Sequence, residues 1–216
     1  MSEHVVTVSD LTVSDDTDPF NFSVTERFTL LEGARESGTT LLALALAGRF
    51  RPISGTITVG EDQGPVGPRA LFHRVGLAGV PEIDSLDRHV RYSTFVRDHI
   101  AWSSPWYARS NPNSPQWRAY EHFAELIGFD TSTDPDTPVG GLHPAQRFRL
   151  RVLLALIDRP TADYLVVDDI DAVKSLALRD DLITSLVALA ADIPVVALTA
   201  NPAPAAVARI DLGGTR

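Results

Sequence analysis

"EGARESGTTLLALALAG", residues 32–48, sets Gly33 and Gly38 five apart, follows them with Thr39 and Thr40, and then runs into an unbroken apolar stretch, Leu41 to Ala47. A phosphate-binding loop reads G-x-x-x-x-G-K-[S/T]. Its glycines let the backbone curl so that N–H groups face an anion, and the helix that follows adds a favourable dipole. Gly33, Gly38 and Thr40 fit this pattern, with Arg35 and Ser37 inside the loop. Thr39 stands where the lysine belongs. By itself the glycine pair is a weak signal, so its flanks decide its meaning.

Upstream, residues 4–13 ("HVVTVSDLTV") and 20–31 ("FNFSVTERFTLL") mix apolar and polar residues at nearly period two, which predicts two strands of a half-buried antiparallel layer around a "DDTDP" turn. Downstream, the spacing predicts a helix from Thr40 to Ala47, a strand from Ile53, a Gly/Pro-rich loop, and a short buried strand at "VGLAGVPE", Val75 to Glu82, stopped by proline. From Leu86 to about Arg159 the pattern is mainly helical, broken by the turn-rich "SNPNSP" and "DTSTDPDTP". "YLVVDD" (Tyr164 to Asp169) and "IPVVALTAN" (Ile193 to Asn201) are continuous apolar runs, as expected of parallel strands covered on both faces. A crossover helix from about Ser175 to Ala191 joins them, and "VARIDLGG" closes the chain as a last strand and turn. Strand, glycine loop and helix, then a helical middle, then parallel strands: this order is an α/β sheet with a helical insertion.

The totals narrow the function. The 216 residues are 44% apolar and 22% charged, an ordinary globular balance suited to one sizeable domain. No apolar run approaches the ~20 residues that a membrane span needs. The first residues show no basic start followed by an apolar stretch, and a cytoplasmic protein is expected. A net charge of −9 argues against nucleic acid as a partner, because duplex binding needs clustered cations. The absence of cysteine excludes disulfides and thiolate metal sites. Six scattered histidines show no zinc-helix spacing. Basic charge is almost all arginine, and Lys174 is the sole lysine.

The second chemical signal is the end of "YLVVDD". Asp168 closes an apolar strand, where a Walker B aspartate would hold Mg²⁺, and Asp169 follows, where hydrolases of this type set the carboxylate that orients water. The glycine loop and this pair, in this order and with a helical segment between them, resemble the ATP-binding-cassette (ABC) nucleotide-binding domain. The resemblance covers nearly the whole chain. "GTTLLALALAGRFRPISGTITVGE" is similar to that family's loop, helix and next strand, including a P-x-x-G-x-[IV] step at Pro52 to Ile57. "VGLAGVPE" lies where the family has the strand into its Gln loop, and Val96 to Ile100 match a "VRENI" helix start. "GLHPAQRFRLRVLLALIDRPTADYLVVDD" looks like the stretch from the LSGGQ signature to Walker B, with Leu142, Gln146, Arg149, Ala155, Leu156 and Pro160 in register.

The resemblance implies a P-loop NTPase fold of ABC type: a mixed sheet with N-terminal antiparallel strands and, within one domain spanning residues 1–216, a helical subdomain over about 85–150. It also implies that ATP and Mg²⁺ meet Gly33, Ser37, Gly38, Thr39, Thr40, Glu82 and Gln146, with Thr40 and Asp168 at the metal. The chemistry, however, has drifted. Thr39 replaces the lysine, Glu82 the glutamine of the Gln loop, and His143-Pro144-Ala145 the Ser-Gly-Gly of the signature. Asp169 replaces the catalytic glutamate, Ala200 the switch histidine, and "AVKS" at Ala172 to Ser175 the D-loop "SALD". A lost charged phosphate contact costs several kcal/mol, and a lost transition-state donor ~10²–10³ in rate. Hence the expectation is weak or absent hydrolysis, with ATP and Mg²⁺ bound weakly or not at all.

The implied partners are a membrane-embedded transporter subunit, at the inner face of the membrane, and a second ABC domain in a homo- or heterodimer. Two alternatives stand beside this one. A scaffold would use the fold without nucleotide; an atypical ATPase would use Arg35 in place of the lysine, together with Asp169. Arg147, Arg149 and Arg151 read as a solvated helix face. Trp102, Trp106, Tyr107 and Trp117 read as lobe core or docking surface. Phe20 and Phe22 read as base-stacking or core residues.

Overall fold

The computed structural model describes residues 4–34, 37–107, 111, 113–173, 175–202 and 207–213. Three antiparallel strands form the first layer, in the order β2 (Phe20–Val24), β1 (Val6–Thr12), β4 (Ser54–Val59). Five parallel strands form the second, in the order β5 (Val75–Ala78), β6 (Tyr164–Val167), β7 (Val195–Thr199), β3 (Phe28–Glu32), β8 (Ala208–Asp211). Helix α1 (Thr39–Leu46) follows the glycine loop, α2 (Pro68–Arg74) precedes β5, and the single turn α3 (Pro81–Asp84) follows it. The helical middle is α4 (Tyr92–Ser103), α5 (Pro115–Leu126) and α6 (Pro144–Asp158), and α7 (Leu176–Leu189) is the crossover between β6 and β7.

Alternation along the parallel strands explains their continuous apolar runs. Leu165 and Val167 of β6, with Val195 and Ala197 of β7, join one buried cluster with α4, α5, α6 and α7. Tyr164 and Val166, with Val196 and Leu198, join a second cluster with α1 and the antiparallel sheet. Each strand therefore needs apolar residues on both faces, and a charge at either parity would be buried unpaired. The helical middle shares the first cluster with the sheet and has no separate core.

The stretch 20–31 corrects the expectation of one antiparallel strand. It is two strands, β2 in the antiparallel sheet and β3 between β7 and β8 in the parallel one. The exposed Thr25-Glu26-Arg27 breaks it, and β3 is buried at Phe28, Thr29, Leu30 and Leu31. Helix α2 was also hidden in the sequence behind the Gly/Pro-rich loop; Pro68 opens its first turn. Pro81 likewise opens the turn α3.

Phe20 and Phe22 belong to the antiparallel sheet's cluster, Phe20 buried and Phe22 packed against it, so both are core residues. The arginine face of α6 is corrected as well. Arg147 donates to the carbonyls of Gly140 and Leu142, Arg149 pairs with Asp181 of α7 at 2.7 Å, and Arg151 lies 4.0 Å from Asp84.

Tyr164 is fully buried, and its hydroxyl donates to the carbonyl of Leu46 at 2.8 Å, at the end of α1. That bond anchors the C-terminal end of the helix that begins at the glycine loop. Tyr164→Phe should cost about 1–3 kcal/mol in urea denaturation, because a carbonyl at the end of α1 loses a buried donor. An unchanged midpoint would mean that the bond contributes nothing net.

Candidate nucleotide site

The loop is built on β3. The Gly33 N–H donates to the Thr199 carbonyl at 3.1 Å, which ties the loop to the end of β7. A side chain at 33 would collide with the Thr39 methyl, so that methyl lies against the loop backbone and would have to shift for any larger residue. Ser37 is buried; its N–H and hydroxyl both turn onto the Ala34 carbonyl, at 3.2 and 2.6 Å, and close the loop on itself. Gly38 adopts φ +78, a left-handed conformation that glycine takes without strain, and caps α1. Helix α1 thus opens with Thr39 and Thr40, whose N–H groups have no intrahelical acceptor. Arg35, the substitute cation of the atypical-ATPase reading, lies outside the described residues, as does Lys174.

The acidic strand end faces this loop. The Thr40 side chain lies beside the Asp168 carboxylate and favours its ionised form, which brings together the two residues expected at the metal. Asp168 is buried, and its Oδ2 has no hydrogen-bond partner among the described residues. Burial pushes its carboxyl above the usual range; the neighbouring charges of Asp169 and Asp84 add to that push, while the Thr40 hydroxyl opposes it. A buried, half-satisfied carboxylate beside a hydroxyl fits a hard divalent cation, which would supply the missing positive charge and accept oxygen ligands. Among the described residues the loop offers an anion backbone N–H groups and no charge, since Thr39 stands where the lysine would be.

Asp169 is exposed, on a backbone with φ +43. Its position is strained for a non-glycine residue and is enforced by the turn into the short 3-10 helix Ile170–Val173. Ala200 is also exposed and offers only its N–H, which donates to Asp171 Oδ2 at 2.8 Å. Thr199 donates to the same oxygen at 2.8 Å, and Asp171 lies 3.7 Å from the buried Arg179. Burial raises the Asp171 carboxyl, but hydrogen bonds from Asn201, Ala200 and Thr199, with the Arg179 charge, outweigh it and hold it below the usual range. Asp171 gave no sequence signal, because it lies in no motif and acts through tertiary contacts.

Gly79, at the end of β5, has φ +89, and a β-carbon there would overlap the Asp168 carbonyl. The Gly79 N–H donates to Asp84 Oδ2 at 2.6 Å, which folds Pro81 to Asp84 back over the strand end. Glu82 lies in this turn. Gln146 and the signature stretch lie on α6. His143 caps that helix, its Nδ1 accepting the Ala145 N–H at 3.4 Å. The Gln146 amide is taken up by the turn at 128–130, donating to Gly128 O at 3.1 Å and accepting from Asp130 N at 3.0 Å. The structure brings Thr40 to Asp168 and Gly33 to Thr39, and leaves Gln146 engaged within the lobe.

Against solved structures, this architecture matches ABC transporter nucleotide-binding domains. The ATP-bound structure of a bacterial Atm1-family ABC exporter superposes with TM-score 0.68 at 15% identity, covering 99% of this chain and 37% of the exporter. The chain therefore spans little more than a third of that protein. cbiO1 from Clostridium perfringens, part of the ABC transporter complex cbiONQ, gives TM-score 0.69 at 16% identity, covering 92% of this chain and 79% of its own. The ADP conformation of an ATP-binding cassette of an ABC transporter gives 0.69 at 16%, covering 93% and 82%. No family model and no curated protein matches the sequence. The fold is thus that of the ABC ATP-binding cassette.

Asp168 binds protons more tightly folded than unfolded, so its ionisation lowers stability as pH rises from the unfolded carboxylate range through its raised folded value. Asp168→Asn should therefore raise the melting temperature at neutral pH, by about 2–4 °C per kcal/mol recovered, and not at pH 3. The same variant should lose any Mg²⁺-dependent shift. A lower melting temperature at neutral pH would contradict the burial argument.

Proposed function

We propose that the chain is an ATP-binding subunit of an ABC transporter in which hydrolysis is weak or absent, a pseudo-ATPase that works as a partner of a membrane-embedded subunit. One observation carries this reading. The cassette keeps the loop curl and the Thr40–Asp168 pair, while the positions that act on the γ-phosphate hold Thr39, Glu82, His143-Pro144-Ala145, Asp169 and Ala200. What survives is the framework that shapes a phosphate and metal site. What is gone is the charge and the donors that would stabilise a transferring phosphoryl group.

Thr40 and Asp168 would hold Mg²⁺, and the N–H groups at the start of α1 would face the phosphates. Bound Mg²⁺ would neutralise phosphate charge and relieve the buried Asp168 carboxylate. In this reading the helices within about 85–150 form the lobe that meets the membrane partner. Trp102, Trp106 and Tyr107, all more than 70% exposed, lie at the end of α4 and just beyond it. A second ABC domain would complete a composite site. No helix among the described residues is long and apolar enough to cross a membrane, so attachment would come through that partner.

The scaffold reading, without nucleotide, draws on one observation: the capped head of α6 and the engaged Gln146 amide leave the signature with few free donors. Thr39→Lys separates the two. On the pseudo-ATPase reading it should tighten Mg-ATP binding by about 10–100-fold, the worth of one charged hydrogen bond, with phosphate release still at background. Calorimetry showing no ATP binding in either protein would favour the scaffold. Phosphate release well above background in the unaltered chain would overturn both.

A further inference from the structure

The turn between β1 and β2 lies over the head of α1. Val13 is buried in the same cluster as α1, and a β-carbon on Gly38 would meet the Thr17 methyl at 3.0 Å and a Val13 methyl at 3.4 Å. The turn is held from within. The Thr17 N–H and hydroxyl both donate to the Ser14 carbonyl, at 3.3 and 3.1 Å, and the Asp16 N–H donates to the Ser14 hydroxyl at 3.4 Å. Thr17 thus sits against the cap of the glycine loop, and its neighbours in the chain are acids. Asp15, Asp16 and Asp18 are exposed, and none has an ion-pair partner among the described residues.

Consecutive Cα atoms are about 3.8 Å apart, so this contact keeps the three carboxylates within roughly 15 Å of the N–H groups that open α1. Charges at that separation are felt at low salt and hidden at high salt, because the Debye length falls from ~30 Å at 0.01 M to ~3 Å at 1 M. Beyond the loop stands Asp168, buried, its Oδ2 without a hydrogen-bond partner among the described residues. The N–H groups that would meet phosphate are therefore set between carboxylates, and no described residue of the loop carries an offsetting charge. Arg35 and Glu36, outside the described residues, add one charge of each sign. An anion drawn by the helix dipole meets a negative field on its way in.

We infer that the turn 14–18 is a specificity determinant of this site: Asp15, Asp16 and Asp18 select by ligand charge, turning away a free polyphosphate and admitting one only in company with a divalent cation. This rests on the nucleotide reading for the ligand and adds the rule for its entry. The three acids touch no ligand and act through the field alone. Each charge that a cation cancels on the polyphosphate lowers the repulsion from all three at once. The sign of the field shows in solution. An ordinary anion site weakens as salt screens attraction. Here screening removes repulsion, so phosphate affinity rises with ionic strength.

The test uses the full chain with ATP, Mg-ATP and inorganic tripolyphosphate. Binding is followed by calorimetry, and the amide signals of Gly38, Thr39 and Thr40 report that the loop is the place occupied. Two variants of equal net charge are compared: Asp15→Asn/Asp16→Asn/Asp18→Asn, and a remote control at exposed positions, Glu61→Gln/Glu121→Gln/Glu125→Gln. In the unaltered chain Mg-ATP should bind several-fold more tightly at about 0.5 M than at about 0.02 M salt. The Asn variant should gain about tenfold for metal-free ATP and tripolyphosphate and lose most of that salt effect, while the control changes neither. Melting temperatures check that each fold is kept; if the triple variant fails, Asp16→Asn alone should gain about twofold. Affinity for Mg-ATP that falls with salt, or a gain shared equally by the control, overturns the proposal and leaves the nucleotide reading standing. Tripolyphosphate that shifts the loop signals in the Asn variant, with Mg-ATP shifting none in any protein, keeps the charge selection and removes the nucleotide reading. Binding of no phosphate ligand by any of the three proteins overturns both.

Discussion

The Asp168 carbonyl occupies the space that a β-carbon on Gly79 would fill. Because β5 and β6 run parallel and in register from Val75↔Tyr164 to Ala78↔Val167, both strands end at this contact. The Asp168 N–H donates to the Ala78 carbonyl at 2.8 Å and carries the pairing one residue past the strand. That carries the Asp168 side chain to Thr40, while Gly79 turns left-handed and hands the chain to Asp84. The acidic strand end and the turn after β5 are thus set by a single backbone approach. A side chain at 79 would disturb both together.

The electrostatics of the site follow from what surrounds Asp168. It is buried beside Asp169 and Asp84, and no lysine enters from the loop. A charged loop lysine would normally offset that cluster and meet phosphate as well. Without it, no described residue of the loop brings positive charge to Asp168, and the described loop offers dipoles and N–H groups alone. Ser37 and Gly38 show that the loop's shape does not depend on the lysine. Its closure is made by Ala34 accepting from Ser37 and by a glycine free to turn left-handed. Shape and charge are separable here, which is why one can persist without the other.

Much of this was legible in the chain. The spacing of Gly33, Gly38 and Thr40, the apolar run into Asp168, and the order of elements pointed to the cassette, and the parallel strands β6 and β7 appear where continuous apolar stretches placed them. The break within 20–31 was hidden, because period-two alternation runs through both β2 and β3 and only Thr25-Glu26-Arg27 marks a change of sheet. The three arginines of α6 looked like a solvated face, because the partners of Arg149 and Arg151, Asp181 and Asp84, are distant in sequence, and Arg147 turns onto the backbone carbonyls of Gly140 and Leu142. Gln146 lies in register with a binding motif, yet its amide is engaged by residues 128 and 130.

By itself the sequence determined what acts locally, through glycine, proline and the identity of each charged group: Gly38 permits the cap of α1, Pro144 opens α6 without an N–H, and Thr39 carries no charge. Only the tertiary structure decided which groups stand alone. Whether a carboxylate or guanidinium is paired depends on chains folded far apart. Asp171 finds Arg179 and Ala200, and Asp158 finds His99. Apart from Asp171–Arg179, eight residues apart, those pairings are long-range, and no local pattern encodes them.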